Sequence, residues 1–231
     1  MWELSSQELG ILALSLRVAA ASVLFSLPFA IAVALGLARL SFPGKTLVDA
    51  IIHLPLVLPP VVVGFALLTL FGRRGPVGSL LDQWFGIVFA FRWTGAALAS
   101  AIMGFPLMVR AIRLSIEAID RRLEVAARTL GASRSWVFAS ITLPLALPGI
   151  ITGTLLSFAR GLGEFGATIT FVSNIPGETQ TLPTLIYTFT QVPGGEAGAL
   201  RLTLISVAIS LGAVLASEAF VRRVQRRNRA D

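Results

Sequence analysis

The sequence predicts an all-α integral membrane protein with five transmembrane helices, and three observations carry that expectation. Of its 231 residues, 55% are hydrophobic and only 13% are charged. A water-soluble domain is nearer a quarter charged, because its surface has to be solvated. Mean hydropathy is +0.82. The apolar residues also gather into long stretches, and about 20 such residues in a helix span a hydrocarbon layer of about 30 Å. Lipid must be part of the solvent.

The first helix is expected over about residues 9–38, interrupted in character only by Arg17 and Pro28. The segment ahead of it, MWELSSQELG, has no basic region, and the apolar stretch behind it is too long for the core of a cleaved signal peptide. That stretch is expected to persist as the first membrane helix. The second helix spans about 47–71 and contains His53, Pro55, Pro59 and Pro60. Membrane helices tolerate proline where neighbours satisfy the freed backbone groups. The third covers about 86–109, with Arg92 near its start and Pro106 near its end. The fourth covers about 141–160, with a continuation to 172 left open, and the fifth about 199–221. The tail ends about ten residues later, so no appended regulatory domain is expected.

Orientation follows from the basic residues. Arg39 and Lys45 flank the turn after the first helix. Arg110, Arg113, Arg121, Arg122, Arg128 and Arg134 crowd the long third connection, and Arg222, Arg223, Arg226, Arg227 and Arg229 form the tail. With five spans these regions share one side, which the excess of positive charge makes cytoplasmic. The N-terminus is then outside and the C-terminus inside. Arg73 and Arg74 fall in the outer loop FGRRGPVG.

Composition excludes several function classes. There is no cysteine and one histidine, His53, so thiolate or multi-histidine metal sites and cysteine nucleophiles are out. The net charge of +7 resides between and after apolar stretches, not interleaved with aromatics as on a nucleic-acid-binding face. No convincing nucleophile–base pair suggests an enzyme. The phosphate-loop pattern GxxxxGK[ST] is absent, so any ATP would be bound by another subunit. Without an internal repeat, a path between helices needs a partner, most simply a second copy around a two-fold axis. An ion-coupled transporter acting alone is the rival class, for which Glu164 and Glu218 are the titratable candidates.

The connection at 120–140 is the most informative segment. Leu123, Ala126, Ala127 and Leu130 recur at steps of three and four on a basic helix. Gly131 can take the left-handed conformation that ends it, and Ser133 can cap a following helix carrying Trp136, Val137 and Ser140. Small residues at Ala126 and Ala127 allow a partner backbone to approach. On charge alone the segment could equally lie on the anionic inner leaflet, with Arg121, Arg122, Arg128 and Arg134 near phosphates.

From Asp120 to Pro144 the chain reads DRRLEVAARTLGASRSWVFASITLP, which resembles the EAA motif of ABC-importer permeases. Ala126, Ala127, Gly131, Ile141, Leu143 and Pro144 match, with nine residues between Gly131 and Ile141. The place usually held by glutamate is Val125, and Glu124 stands one residue earlier. The resemblance extends to the permeases of molybdate importers through SFPGK (41–45), HLPLVLPPVVVG (53–64), FGRRGPVG (71–78), FPLMVRAIRL (105–114) and FARGLGEFGATITFVSNIPGETQTLP (158–183). Sulfate and tungstate permeases share shorter forms. The resemblance implies the type I ABC-importer permease fold in a bacterial inner membrane, working as a homodimer with the path at its interface. It implies a cytoplasmic ABC ATPase dimer that carries ATP and Mg, gripping 120–140 as a coupling helix, and a periplasmic or extracellular molybdate-binding protein. This chain would hold no cofactor of its own.

A tetrahedral dianion crossing a low-dielectric layer needs donors that bind weakly enough to let go. Around the fourth span these are Thr152, Thr154, Ser157, Thr168, Thr170, Ser173 and Asn174. Arg160 and Glu164 lie four apart. Charges inside a membrane are functional candidates, but a glutamate would repel an anion, so mutual neutralisation is the preferred reading. Arg73 and Arg74 could meet the anion or an acidic patch of the delivering protein, or could form a solvated turn; both readings stand open. His53 is read as a hydrogen-bonded packing residue rather than a proton relay.

Overall fold

A computed structural model describes residues 5–227 as helices joined by short turns, with no strand among the described residues. Helix α1 (Ser6–Arg39) starts three residues before the expected boundary because Ser5 and Glu8 form a capping box. The Glu8 amide donates to Ser5 Oγ at 3.2 Å, and the Ser5 amide donates to Glu8 Oε2 at 2.8 Å.

The expected second span is divided. Helices α2 (Lys45–Val57) and α3 (Pro60–Phe71) meet at 112°. A residue before proline is pushed towards extended conformations. Leu58 and Pro59 each precede one, and they take ψ of 143° and 133°. One proline can kink a helix; this pair turns the chain. The short helix α4 (Pro76–Phe85) ends at Gly86, whose φ of +64° suits glycine. The third span therefore begins at Trp93 rather than 86, and α5 (Trp93–Glu117) runs past residue 109. Its polar extension is paired: Arg113 donates to Asp49 at 3.0 Å and to Glu117 at 2.8 Å.

Next come α6 (Arg121–Thr129), α7 (Arg134–Val137), a π-helical turn (Phe138–Thr142) and α8 (Leu143–Leu162). The continuation of the fourth span to 172 is broken at residues 163–165, and α9 (Gly166–Val172) is a separate helix. Helices α10 (Leu182–Thr190) and α11 (Glu196–Arg227) complete the described chain. Among the described residues, four helical stretches are long and apolar enough to cross a membrane, or five with α2 and α3 counted together. The side chains of Glu218, Arg222, Arg223, Arg226 and Arg227, and the whole of Arg229, lie outside the described residues.

The centre of the bundle is the seam between α5 and α8. Gly149, Gly153 and Ser157 recur every fourth residue on α8 and meet Ser115, Met108 and Gly104 of α5. A Cβ on Gly153 would lie 2.9 Å from the Met108 carbonyl oxygen, and one on Gly149 would lie 2.2 Å from Ser115 Cβ. Lipid tails are as apolar as leucine, so helices in a bilayer associate by close packing of such small faces. Large apolar side chains including Leu24, Phe65 and Leu215 are exposed around the outside, as a surface wetted by lipid requires.

The two ends of the bundle differ in chemistry. Contacts of Arg39 with Glu124 and of Asp49 with Arg113 gather the ends of α1 and α5, the start of α2 and all of α6 at one end. At the other, Glu8 of α1 pairs with Arg201 of α11. Here too the Leu182 amide donates to the buried Ser15 hydroxyl at 2.7 Å.

Candidate functional site

The segment 120–140 folds into two helices around a glycine, each started by a side-chain cap. Asp120 Oδ1 accepts from the Arg122 amide at 2.9 Å to open α6. Gly131, at φ +90°, closes it, while the Ala132 amide donates to the Ala127 carbonyl at 3.0 Å. Ser133 Oγ then accepts from the Trp136 amide at 3.3 Å to open α7. Ala126 is exposed and Ala127 half-buried. Leu130 is 89% exposed and Trp136 54%. Two large apolar side chains thus stand in the open on either side of Gly131.

Glu124 turns inward. Its Oε1 accepts from Arg39 Nη2 at 2.8 Å and from Thr142 Oγ1 at 2.9 Å. It ties α6 to the end of α1 and to the π-turn. Ile141 lies within that turn, and Leu143 and Pro144 begin α8. Pro144 has no amide for the Ser140 carbonyl, and its ring would crowd that oxygen in a regular α-helix. The wider π-turn relieves the crowding, and the Leu143 amide reaches back to Phe138. Sequence reasoning missed Arg39 and Thr142. Arg39 read only as a topology marker, and a pairing across 85 residues leaves no spacing signal.

The polar residues expected around the fourth span are not gathered on one face. Ser157 and Thr168 are fully buried, Ser157 against Gly104. Thr152 and Thr170 donate to the carbonyls of Pro148 and Gly166 one turn back, at 2.9 and 2.8 Å. Thr154 is half-buried. Ser173 is exposed at φ +65°, a left-handed value that strains a residue with a side chain. Asn174 donates to Thr188 Oγ1 at 2.9 Å. Arg160 and Glu164 are in contact, and the Glu164 side chain is only 1% exposed. Its other oxygen accepts from the Ala167 amide at 2.8 Å, so this carboxylate starts α9 as well as balancing Arg160. That second role came from the helix break, which hydropathy did not reveal.

At the opposite end, Arg73 and Arg74 are joined by Arg92 around an open cleft of about 740 Å³. Trp93 follows Arg92, and the guanidinium of Arg17 lies 3.8 Å from the centre of its ring. Arg92, counted at first within a span, belongs to this polar end because α5 starts after it. His53 Nδ1 is 2.9 Å from the Asp49 carbonyl oxygen, one turn back.

Residues 26–226 match the family described as "Binding-protein-dependent transport system inner membrane component". The chain is 64% identical over 209 residues to the molybdenum transport system permease protein ModB of Escherichia coli strain K12, covering 90% of this chain and 91% of that one. It is 57% identical over 220 residues to the protein of that name from Haemophilus influenzae, covering 95% and 96%. The fold matches a chain of a bacterial ABC transporter involved in import of the acidic polysaccharide alginate. There the TM-score is 0.75 at 21% identity, covering 95% of this chain and 80% of the other. The chain belongs to the binding-protein-dependent transport system inner membrane components, and its fold is that of a type I ABC-importer permease.

Proposed function

We propose that this chain is the permease subunit of an ATP-driven importer of molybdate in a bacterial cytoplasmic membrane. It works as a homodimer, with two copies of a cytoplasmic ABC ATPase and an external molybdate-binding protein. The N-terminus is outside and the C-terminus inside. The subunit is not catalytic; ATP and Mg belong to the ATPase. The observation that carries the reading is the 120–140 segment, a glycine-hinged pair of capped helices presenting Leu130 and Trp136 to solvent. A partner that buries both gains the apolar area now in water.

Mechanically, a loop gripped by the ATPase has two routes into the membrane. One runs through Glu124 and Arg39 into α1, and the other through the π-turn into α8. A π-turn within a helix occurs frequently at functional sites. Closure of the ATPase on ATP would swing the loop and turn the path outward, and hydrolysis would reset it. At the outer end Arg73, Arg74 and Arg92 offer positive charge to an acidic docking face of the binding protein.

Reconstitution tests the proposal. Permease, ATPase and loaded binding protein in proteoliposomes should accumulate labelled molybdate only with ATP, against competing sulfate. Uptake driven by a pH gradient without ATP would reject it. Sulfate outcompeting molybdate would reject the substrate while leaving the permease reading intact.

A further inference from the structure

We infer that the cleft behind the coupling loop is a binding site for the headgroup of an anionic phospholipid. The cleft, of about 490 Å³, lies between the end of α1, helix α6 and the start of the π-turn, and four arginines line it: Arg39, Arg121, Arg128 and Arg134. Glu124 is its one carboxylate and is already engaged by Arg39 and Thr142. Arg121 spends one donor on the Ala38 carbonyl at 3.1 Å. Arg121, Arg128 and Arg134 have no carboxylate partner among the described residues. Arg39 Nε is buried without an acceptor. Like charges converging on one cleft repel each other until an anion enters, and a phosphate diester offers oxygens matched to several guanidinium forks.

The other wall selects lipid over a free anion. Leu35 of α1 and Leu40, the residue just after it, line the cleft with Phe138, and Gly36 leaves open space where a side chain would stand. This apolar wall belongs to a transmembrane helix, so the cleft opens at the depth where headgroups meet acyl chains. A dissolved oxyanion gains nothing from such a wall, whereas a lipid lays its glycerol and chain ends along it. Basic pockets between transmembrane helices on the cytoplasmic side suit anionic headgroups. Neither Leu130 nor Trp136 lines the cleft, so the lipid and a protein gripping the loop need not compete. A bound headgroup would hold α6 and α7 against α1 beside the Glu124 contact.

The test uses the permease assembled with its ATPase, in nanodiscs of phosphatidylcholine with or without phosphatidylglycerol. Native mass spectrometry reads the lipid retained, and hydrogen exchange reads residues 121–138. Each basic side chain near an anionic headgroup contributes roughly fivefold to partitioning. Arg128→Gln with Arg134→Gln should therefore cut phosphatidylglycerol retention about 25-fold, while Arg73→Gln with Arg74→Gln at the far end should not. Equal retention of the two lipids, or full retention by the 128/134 variant, overturns the inference. So does equal protection by inorganic phosphate in lipid-free detergent, which would make the ligand a soluble anion. Loss of the lipid whenever the ATPase binds would assign the cleft to the ATPase and overturn it as well. Should the double variant fail to assemble, exchange in the unaltered complex decides. Protection of 121–138 by phosphatidylglycerol alone supports the site, and indifference to lipid rejects it.

Discussion

Replacing Glu124 by alanine should uncouple ATP hydrolysis from transport without releasing the ATPase. The substitution removes two hydrogen bonds to a carboxylate, from Arg39 at 2.8 Å and Thr142 at 2.9 Å. Bonds to charged groups contribute about 1.5–3 kcal/mol each, but the Arg39 and Glu124 side chains are 14% and 18% exposed, so water screens part of this. An exposed pair contributes about 0–1 kcal/mol, and breaking a buried one costs about 3–5. A loss of about 2 kcal/mol lies between these limits. It shifts the ratio of fastened to free loop about 30-fold.

The assay is anion imported per ATP hydrolysed, in proteoliposomes, with co-purification of the ATPase measured in parallel. Ala126, Ala127, Leu130 and Trp136 are untouched, so the ATPase should co-purify normally and hydrolyse ATP while the transport ratio falls at least tenfold. Arg39→Ala should behave alike. The exchange Arg39→Glu with Glu124→Arg should restore part of the coupling, since the Thr142 hydroxyl can accept as well as donate. A wild-type ratio in Glu124→Ala would refute the reasoning. So would loss of the ATPase from the complex, which would make the carboxylate a docking contact.

Gly153→Leu should lower the thermal midpoint and the yield of folded permease, because its Cβ would meet the Met108 carbonyl at 2.9 Å; overpacking costs about 1–3 kcal/mol. Gly10→Ala, inside α1 with nothing within 4 Å, should not lower the midpoint in the same melt and should raise it slightly through helix propensity. Ser173→Gly relieves a φ of +65° and should raise the midpoint by about 2–4 °C per kcal/mol recovered; an unchanged melt would mean that the conformation costs little. Arg73→Ala, Arg74→Ala and Arg92→Ala together should raise the concentration of loaded binding protein needed for half-maximal uptake and weaken its salt dependence, with the maximal rate preserved. Glu164→Gln keeps an acceptor for the Ala167 amide but leaves Arg160 unbalanced. A lowered melt with unchanged anion selectivity marks a pairing role, and a changed selectivity marks a role in the path.

The apolar spans and the glycine-hinged helix pair at 120–140 were legible because their signals are local. Hydropathy registers any 20-residue apolar stretch, and a glycine followed by a cap, as at Gly131 and Ser133, is written within three residues; the Asp120 cap came only with the structure. The α2–α3 bend was half-legible: Pro59 and Pro60 were seen, but tolerance of proline in membranes masked what two in succession do to Leu58 and Pro59. The break before α9 was not located because residues 161–172 are mostly apolar, and Glu164, whose carboxylate accepts the Ala167 amide there, was read only as the partner of Arg160. The Glu8–Arg201 and Arg39–Glu124 contacts join residues 193 and 85 apart. No periodicity reaches that far, so only the fold pairs them.

If the chain works as the homodimer proposed above, the close seam between α5 and α8 limits where an anion could pass. Gly149, Gly153 and Ser157 bring α8 against α5 so closely that a single Cβ would collide. Ser157 and Thr168, two of the hydroxyls that could escort a dianion, are sealed inside at 0% and 1% exposure. A path through the middle of one protomer would have to open its tightest contact. Thr154 and Thr170 remain partly accessible, Thr170 beside Gly64 of α3, and Ser173 is exposed. Hydroxyls on such an accessible surface line a passage only when something closes the other side, and lipid tails cannot, since they offer a dianion no donor. A second copy can, and the loop fastened to α1 and α8 would then move the two halves as rigid bodies.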